Sequence, residues 1–148
     1  MKFLYIASLF FLILSTSSWA QISPEEVWKT LSHVEMKTYM DETLGFEVSE
    51  PIFGGEVEMI DGSMITISGY ILPVDSEDGT SILSYMAFAN CFFCGNAGPE
   101  TVMELDTPKR QNLVNKKVIV KGRLELNRDD FFSLIYRLKN TEIVEVLN

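Results

Sequence analysis

Two segments constrain this chain more than any others. In Met64–Pro73 and Lys117–Asn127 apolar residues recur at alternate positions, and each segment carries a glycine near its middle, Gly69 and Gly122. Alternation over such a length is the pattern of a strand with one buried face. A glycine inside a strand weakens it unless the strand bends there or another backbone comes close, so both segments predict strongly curved strands. Closing a curved sheet on itself removes the exposed edges that an open sheet must otherwise protect.

The rest of the chain adds shorter strands. Val57 and Met59 read as a strand turning at Asp61-Gly62, a strong hairpin signal, into Met64–Pro73. Asp75–Gly79 is a polar turn, and Ile82–Ala89 alternates loosely as a third strand running into Cys91. Pro99–Leu105 is β-prone, the stretch from Thr107-Pro108 is a connector with room for one helical turn, Asn127–Asp130 is a turn, and Phe131–Val146 supplies a last strand or pair of strands. At the N-terminal side, Ser23-Pro24-Glu25-Glu26 has the composition of a capping box and opens a short helix whose apolar stripe is Val27, Trp28 and Leu31. His33–Val48 reads as an extended segment with loops, interrupted afterwards by Gly45 and Pro51. The expected fold is mainly β, a small OB-like barrel of about five to six strands with a short N-terminal helix. An open antiparallel sheet or a sandwich is the alternative.

Residues 1–20 have the layout of a cleavable signal peptide. Lys2 gives a positive start, Phe3–Leu14 is apolar, and Ser18-Trp19-Ala20 places small side chains where a signal peptidase reads them. The apolar run is too short for the roughly twenty residues that span a bilayer, so a cleaved leader is expected in place of a membrane anchor. Cleavage after Ala20 leaves residues 21–148 as a single domain, not membrane-spanning, in the periplasm or secreted.

The formal net charge is −9, and losing the leader's single lysine makes it more negative. Nucleic acid is therefore not expected as a partner. The charge is also uneven. Thr38–Pro108 contains thirteen acidic residues and no lysine or arginine, whereas from Lys109 onward nine basic residues face five acidic ones. Such a distribution makes either a solvated acidic face or a field that attracts cations or a basic partner surface.

One motif carries chemistry, Cys91-Phe92-Phe93-Cys94-Gly95-Asn96-Ala97-Gly98-Pro99. Two thiols three positions apart can close onto one metal ion or onto each other. In an exported chain the pair can form a local disulfide. A catalytic redox pair would sit at a helix N-terminus that lowers the attacking thiol's pKa, and Gly95, Gly98 and Pro99 leave no room for that helix. A metal site needs further ligands. His33, the sole histidine, is the candidate third ligand, with Glu35, Glu100, Glu104 or Asp106 as an oxygen donor. Zinc asks for four ligands, whereas copper(I) accepts soft thiolates and thioethers, for which Met86 is available. Cys91, Cys94 and His33 are accordingly the candidate metal residues, with zinc or copper as the ion. No nucleophile elbow, zinc-protease helix or phosphate loop occurs, and paired acids such as Asp129-Asp130 belong to a turn, so binding is favoured over catalysis.

Three stretches together, Ile67-Ser68-Gly69-Tyr70-Ile71-Leu72-Pro73, the cysteine segment from Cys91, and Val120–Asn127, resemble an uncharacterised family of exported bacterial proteins. Its pattern is a G-[FY]-x-x-P strand, a Cys-centred loop and a final V-x-G-x-L hairpin, and the resemblance covers residues 24–146. No enzymatic activity is established for that family, and the resemblance implies an extracytoplasmic small barrel tied to transition-metal handling or to an associated transporter as protein partner. Many members of that family have Cys-x-His followed by prolines. Here Cys91 matches, and the His does not. Cys94 in place of the His implies a metal-ligand role for the pair, since His and Cys share ligation.

Overall fold

The structure is a computed structural model and describes residues 23–75, 80–108 and 111–147. The leader expected at residues 1–20 and most of the Asp75–Gly79 turn lie outside them. The elements in chain order are α1 (Val27–Leu31), β1 (Val34–Asp41), β2 (Phe46–Phe53), α2 (Gly55–Glu58), β3 (Met64–Asp75), β4 (Thr80–Ser84), β5 (Val102–Pro108), β6 (Lys117–Leu126) and β7 (Tyr136–Leu147).

Strands β3 to β7 form a closed barrel in the order β3-β4-β5-β7-β6, antiparallel throughout except where β5 and β7 meet in parallel. This is the small OB-like barrel that the alternating segments predict. Its interior is filled from the inward positions of every strand, among them Ile67, Leu83, Leu105, Val120, Leu124 and Leu138. The two mid-strand glycines sit where strands press together. A β-carbon on Gly69 would lie 2.6 Å from the Ser84 carbonyl oxygen, and one on Gly122 would lie 2.8 Å from that of Lys139. Opposite Gly122 the pairing slips, so that Asn140 and Thr141 face one residue on β6. Asn140 takes a positive φ of 51°, and the Asp106 carboxylate accepts its N–H and that of Thr141. The bulge bends β7 at the point where the sheet must curl to close.

The N-terminal segment forms as its capping box predicts. Ser23 Oγ accepts the Glu26 N–H while the Glu26 carboxylate accepts the Ser23 N–H. Helix α1 then buries Val27, Trp28 and Leu31 against the barrel. Trp28 Nε1 donates to the Ser68 carbonyl at 2.6 Å and the Tyr136 hydroxyl donates to the Leu31 carbonyl, so both polar tips are satisfied on burial.

Three local expectations need correction. Val57 and Met59 do not form a strand: Gly55–Glu58 is one turn of helix, because only Val57 enters the core while Met59 stays exposed. Gly62 does turn the chain, at φ 72°, but it joins a helix to β3. His33–Val48 contains more order than an extended segment with loops. β1 and β2 pair along their full length as a hairpin outside the barrel, and Gly45 at φ 75° makes its turn. Pro51 lies within β2, which tolerates it because β2 pairs on one side only. Finally, β4 stops at Ser84, and residues 85–101 form a loop with 3₁₀ turns at Phe88–Asn90, Phe92–Cys94 and Pro99–Thr101.

Replacing Gly69 or Gly122 by alanine is expected to lower stability by about 1–3 kcal/mol through overpacking against a neighbouring backbone. Gly55→Ala, with open space around it, is expected to leave stability unchanged or slightly raised. Urea unfolding of the three variants checks the corner assignment, which fails if Gly69→Ala and Gly122→Ala unfold at the parent's midpoint.

Candidate functional site

Alternation along β3, β4 and β5 gives the barrel two apolar faces. Ile71, Leu83 and Met103 point into the barrel, while the adjacent Leu72, Ile82 and Val102 point outward. The 85–101 loop folds back over this outer patch and buries Cys91 against it, with Phe92 and Leu134 packed at the edge. Cys91 is fully buried and Cys94 is exposed, and neither forms a disulfide. The Cys94 thiol donates to the Phe88 carbonyl at 3.1 Å. Partial desolvation, followed by the charge and hydrogen bond of the neighbouring Cys91, pushes the Cys94 pKa above the ordinary thiol value. Gly95, at φ 73°, ends the 3₁₀ turn immediately afterwards.

His33 lies elsewhere, at the end of α1, where Nδ1 is 3.0 Å from a Glu56 carboxylate oxygen and half of the side chain is exposed. Glu104 pairs with Arg137 at 3.1 Å and Asp106 caps the β7 bulge. The structure therefore brings the two thiols together but does not bring His33 to them. Among the described residues no group of three or more His, Cys, Asp or Glu side chains is placed to hold a metal ion. None of the described helices is long and apolar enough to cross a membrane.

A groove of about 580 Å³ that composition and spacing did not single out lies between three elements. The β1–β2 hairpin forms one side with Met36, Phe46 and Val48, the cysteine loop another with Phe92 and Phe93, and the 127–135 loop the third with Phe131 and Phe132. Phe132 is 72% exposed, Phe46 45%, Phe93 44% and Phe131 38%. The sequence did carry a signal. Two Phe-Phe pairs stand in loops, one between the cysteines and one after Asp129-Asp130, where solvated polar residues are the norm.

The third wall is held by a local network of hydrogen bonds. Asn127 is buried at the start of the 127–135 loop, and its amide nitrogen donates to the carbonyls of Asp130 and Leu134 while its side-chain oxygen accepts the Asp130 N–H. Asp130 in turn accepts from the Ser133 hydroxyl, the Phe132 N–H and Arg137. These donors, the Ser133 hydroxyl first, hold the Asp130 carboxyl below the usual range. Nearby, Arg128 binds Glu58 and Asp61 and lies over the Phe53 ring.

Fold and groove together define a small five-stranded barrel of OB type with an added hairpin and an apolar surface groove. A solved structure of similar shape is that of a DUF3299 family protein from Pseudomonas aeruginosa, a member of an uncharacterised family, with a TM-score of 0.41 and 16% identity over 61% of this chain and 66% of that one, just under two thirds of its length. No family model and no curated protein matches the sequence.

Because the Asp130 carboxyl titrates lower in the folded chain than in the unfolded one, its contribution to loop order is complete above the unfolded value of about 3.9. It is lost as pH falls below that value through the folded pKa. The protection factors of the Phe131–Leu134 amides, taken relative to the intrinsic exchange rate at each pH, are expected to stay level from neutrality down to about pH 4 and to fall below it. Asp130→Asn should remove that pH dependence, and an identical profile in the variant would show that Asp130 does not order the loop.

Proposed function

We propose that the protein is an exported binding module, not a catalyst, which takes an apolar ligand into the groove between the hairpin, the cysteine loop and the 127–135 loop. The observation that carries this reading is the cluster of exposed phenylalanines on three separate elements facing one concavity. Single exposed apolar residues are ordinary, but a contiguous aromatic patch is the usual mark of an interaction site. Its volume lies within the range of ligand sites. A non-catalytic role is supported by the thiols: Cys94 is shifted away from the thiolate that thiol–disulfide catalysis requires, and Gly95 ends its turn without a following helix.

Magnitudes limit what the phenylalanines can do alone. The exposed parts of the four rings amount to roughly two whole rings, about 4 kcal/mol of burial. Loss of translational and rotational freedom on binding consumes at least about that much. Aromatic burial sets the place of binding, and another contribution must supply useful affinity. Nile red, a neutral apolar dye, is expected to fluoresce on binding the groove, and Phe132→Ser to weaken it at least severalfold. Undiminished dye binding in that variant would overturn the groove reading.

The thiol pair supports a second reading, because Cys91 and Cys94 flank a single 3₁₀ turn and are unbridged. Among the described residues no imidazole or carboxylate joins the two thiols in a metal-holding group, and a thiolate pair alone suits a soft ion such as copper(I) better than zinc, which asks for four ligands. The reduced protein is then expected to bind one equivalent of copper(I), with apparent affinity rising with pH because Cys94 must give up its proton. Cys94→Ser should abolish the site. Competition against a chromogenic chelator measures both, and equal binding by wild type and variant would exclude the pair as ligands.

A further inference from the structure

We infer that the groove's occupant is an extended segment of another polypeptide, apolar at its centre and carrying lysine or arginine at its ends. The inference rests on the groove reading and adds the chemistry of the ligand.

Strand β2 runs along the groove, with Phe46, Val48 and Pro51 among its lining residues. It pairs with β1 alone, so its other backbone edge has no strand partner among the described residues. An unpaired edge beside an apolar channel is what an added strand uses: backbone hydrogen bonds fix it while alternate side chains enter the channel. A compact lipophile would fill the channel and leave this edge unused.

Charge narrows the choice further. The hairpin from Val34 to Phe53 contains Glu35, Asp41, Glu42, Glu47 and Glu50 against the single cation Lys37. Glu47 lines the groove itself, and no basic residue occurs between Thr38 and Pro108. Among the described residues the cation lining the groove is Arg128, which is bound to Glu58 and Asp61, and Asp130 is bound to Arg137. The uncommitted charge beside the channel is therefore negative. Anionic headgroups and nucleic acid are repelled, and a second copy of this hairpin would bring acid against acid. A basic flank on the incoming segment is attracted, and it supplies the affinity that aromatic burial alone does not.

The test uses synthetic peptides of eight residues, the length of β2. One alternates Phe and Ser between lysine ends, and a second has the same centre between glutamate ends. The lysine peptide is expected to bind at least about tenfold more tightly at low salt, an advantage that shrinks at high salt. Glu47→Lys should reduce that advantage, and methylating the lysine peptide's alternate backbone nitrogens should weaken it. Phe132→Ser should weaken both peptides and Nile red together. If Nile red depends on Phe132 but the peptides bind equally or not at all, the polypeptide assignment falls and the groove remains. If N-methylation changes nothing, the extended, edge-paired mode is wrong. If neither dye nor peptide responds to Phe132→Ser, the groove reading falls and takes this inference with it.

Discussion

The contact between Glu104 on β5 and Arg137 on β7 holds the architecture at its narrowest point. Only two residue pairs, Glu104 with Arg137 and Leu105 with Leu138, join these strands, and they are the seam that turns five strands into a barrel. The ion pair is half-buried at 3.1 Å, so water screens it less than a surface pair. It reaches beyond the seam. The Glu104 carboxylate also accepts the Leu134 N–H, and Arg137 extends to Asp130 in the 127–135 loop. Closure of the barrel and placement of the groove wall bearing Phe131 and Phe132 therefore depend on the same two side chains.

The N-terminal segment is attached by an equally specific set of contacts. Tyr136, at the start of β7, donates to the carbonyl at the end of α1, and its ring packs 5.8 Å from that of Phe53, the last residue of β2. Burial pushes the Tyr136 phenol above its ordinary pKa, so it remains a donor. Val34 and Phe53, the base of the hairpin, pack on the core, while β1 and β2 form a sheet separate from that of the barrel. The hairpin is thus fixed at its root, and β2 has a strand partner on one side only among the described residues.

What the sequence made legible follows the strength of local constraint. Gly69 and Gly122 announced the corners because nothing larger fits there, and Ser23 with Glu26 announced the helix because both partners lie within one turn. The four-residue helix at Gly55–Glu58 was not legible. Val57 and Met59 have a spacing that suits a strand, and one helical turn is too short to display a period. The hairpin was obscured because both strands carry polar and charged residues on each face, which blurs the alternation. The thiol pair was visible as a motif, but its division into one buried and one exposed sulfur depends on Leu72, Ile82 and Val102, which are distant in sequence. His33 looked like a ligand only because it has no rival; the fold gives it to Glu56. The groove was the least legible feature, since its aromatics come from three separate segments that only the fold assembles.

Barrels of OB type commonly present the outer face of their second and third strands, here β4 and β5, to ligands. In this protein the cysteine loop covers that face and is anchored by Cys91 in its apolar patch. The covering loop then carries Phe92 and Phe93 to the rim, where their rings meet edge to face at 5.4 Å. The same four-residue stretch therefore closes one surface and builds the wall of another. Cys91 serves the first task by filling the patch, and the two phenylalanines serve the second by carrying aromatic surface to the groove.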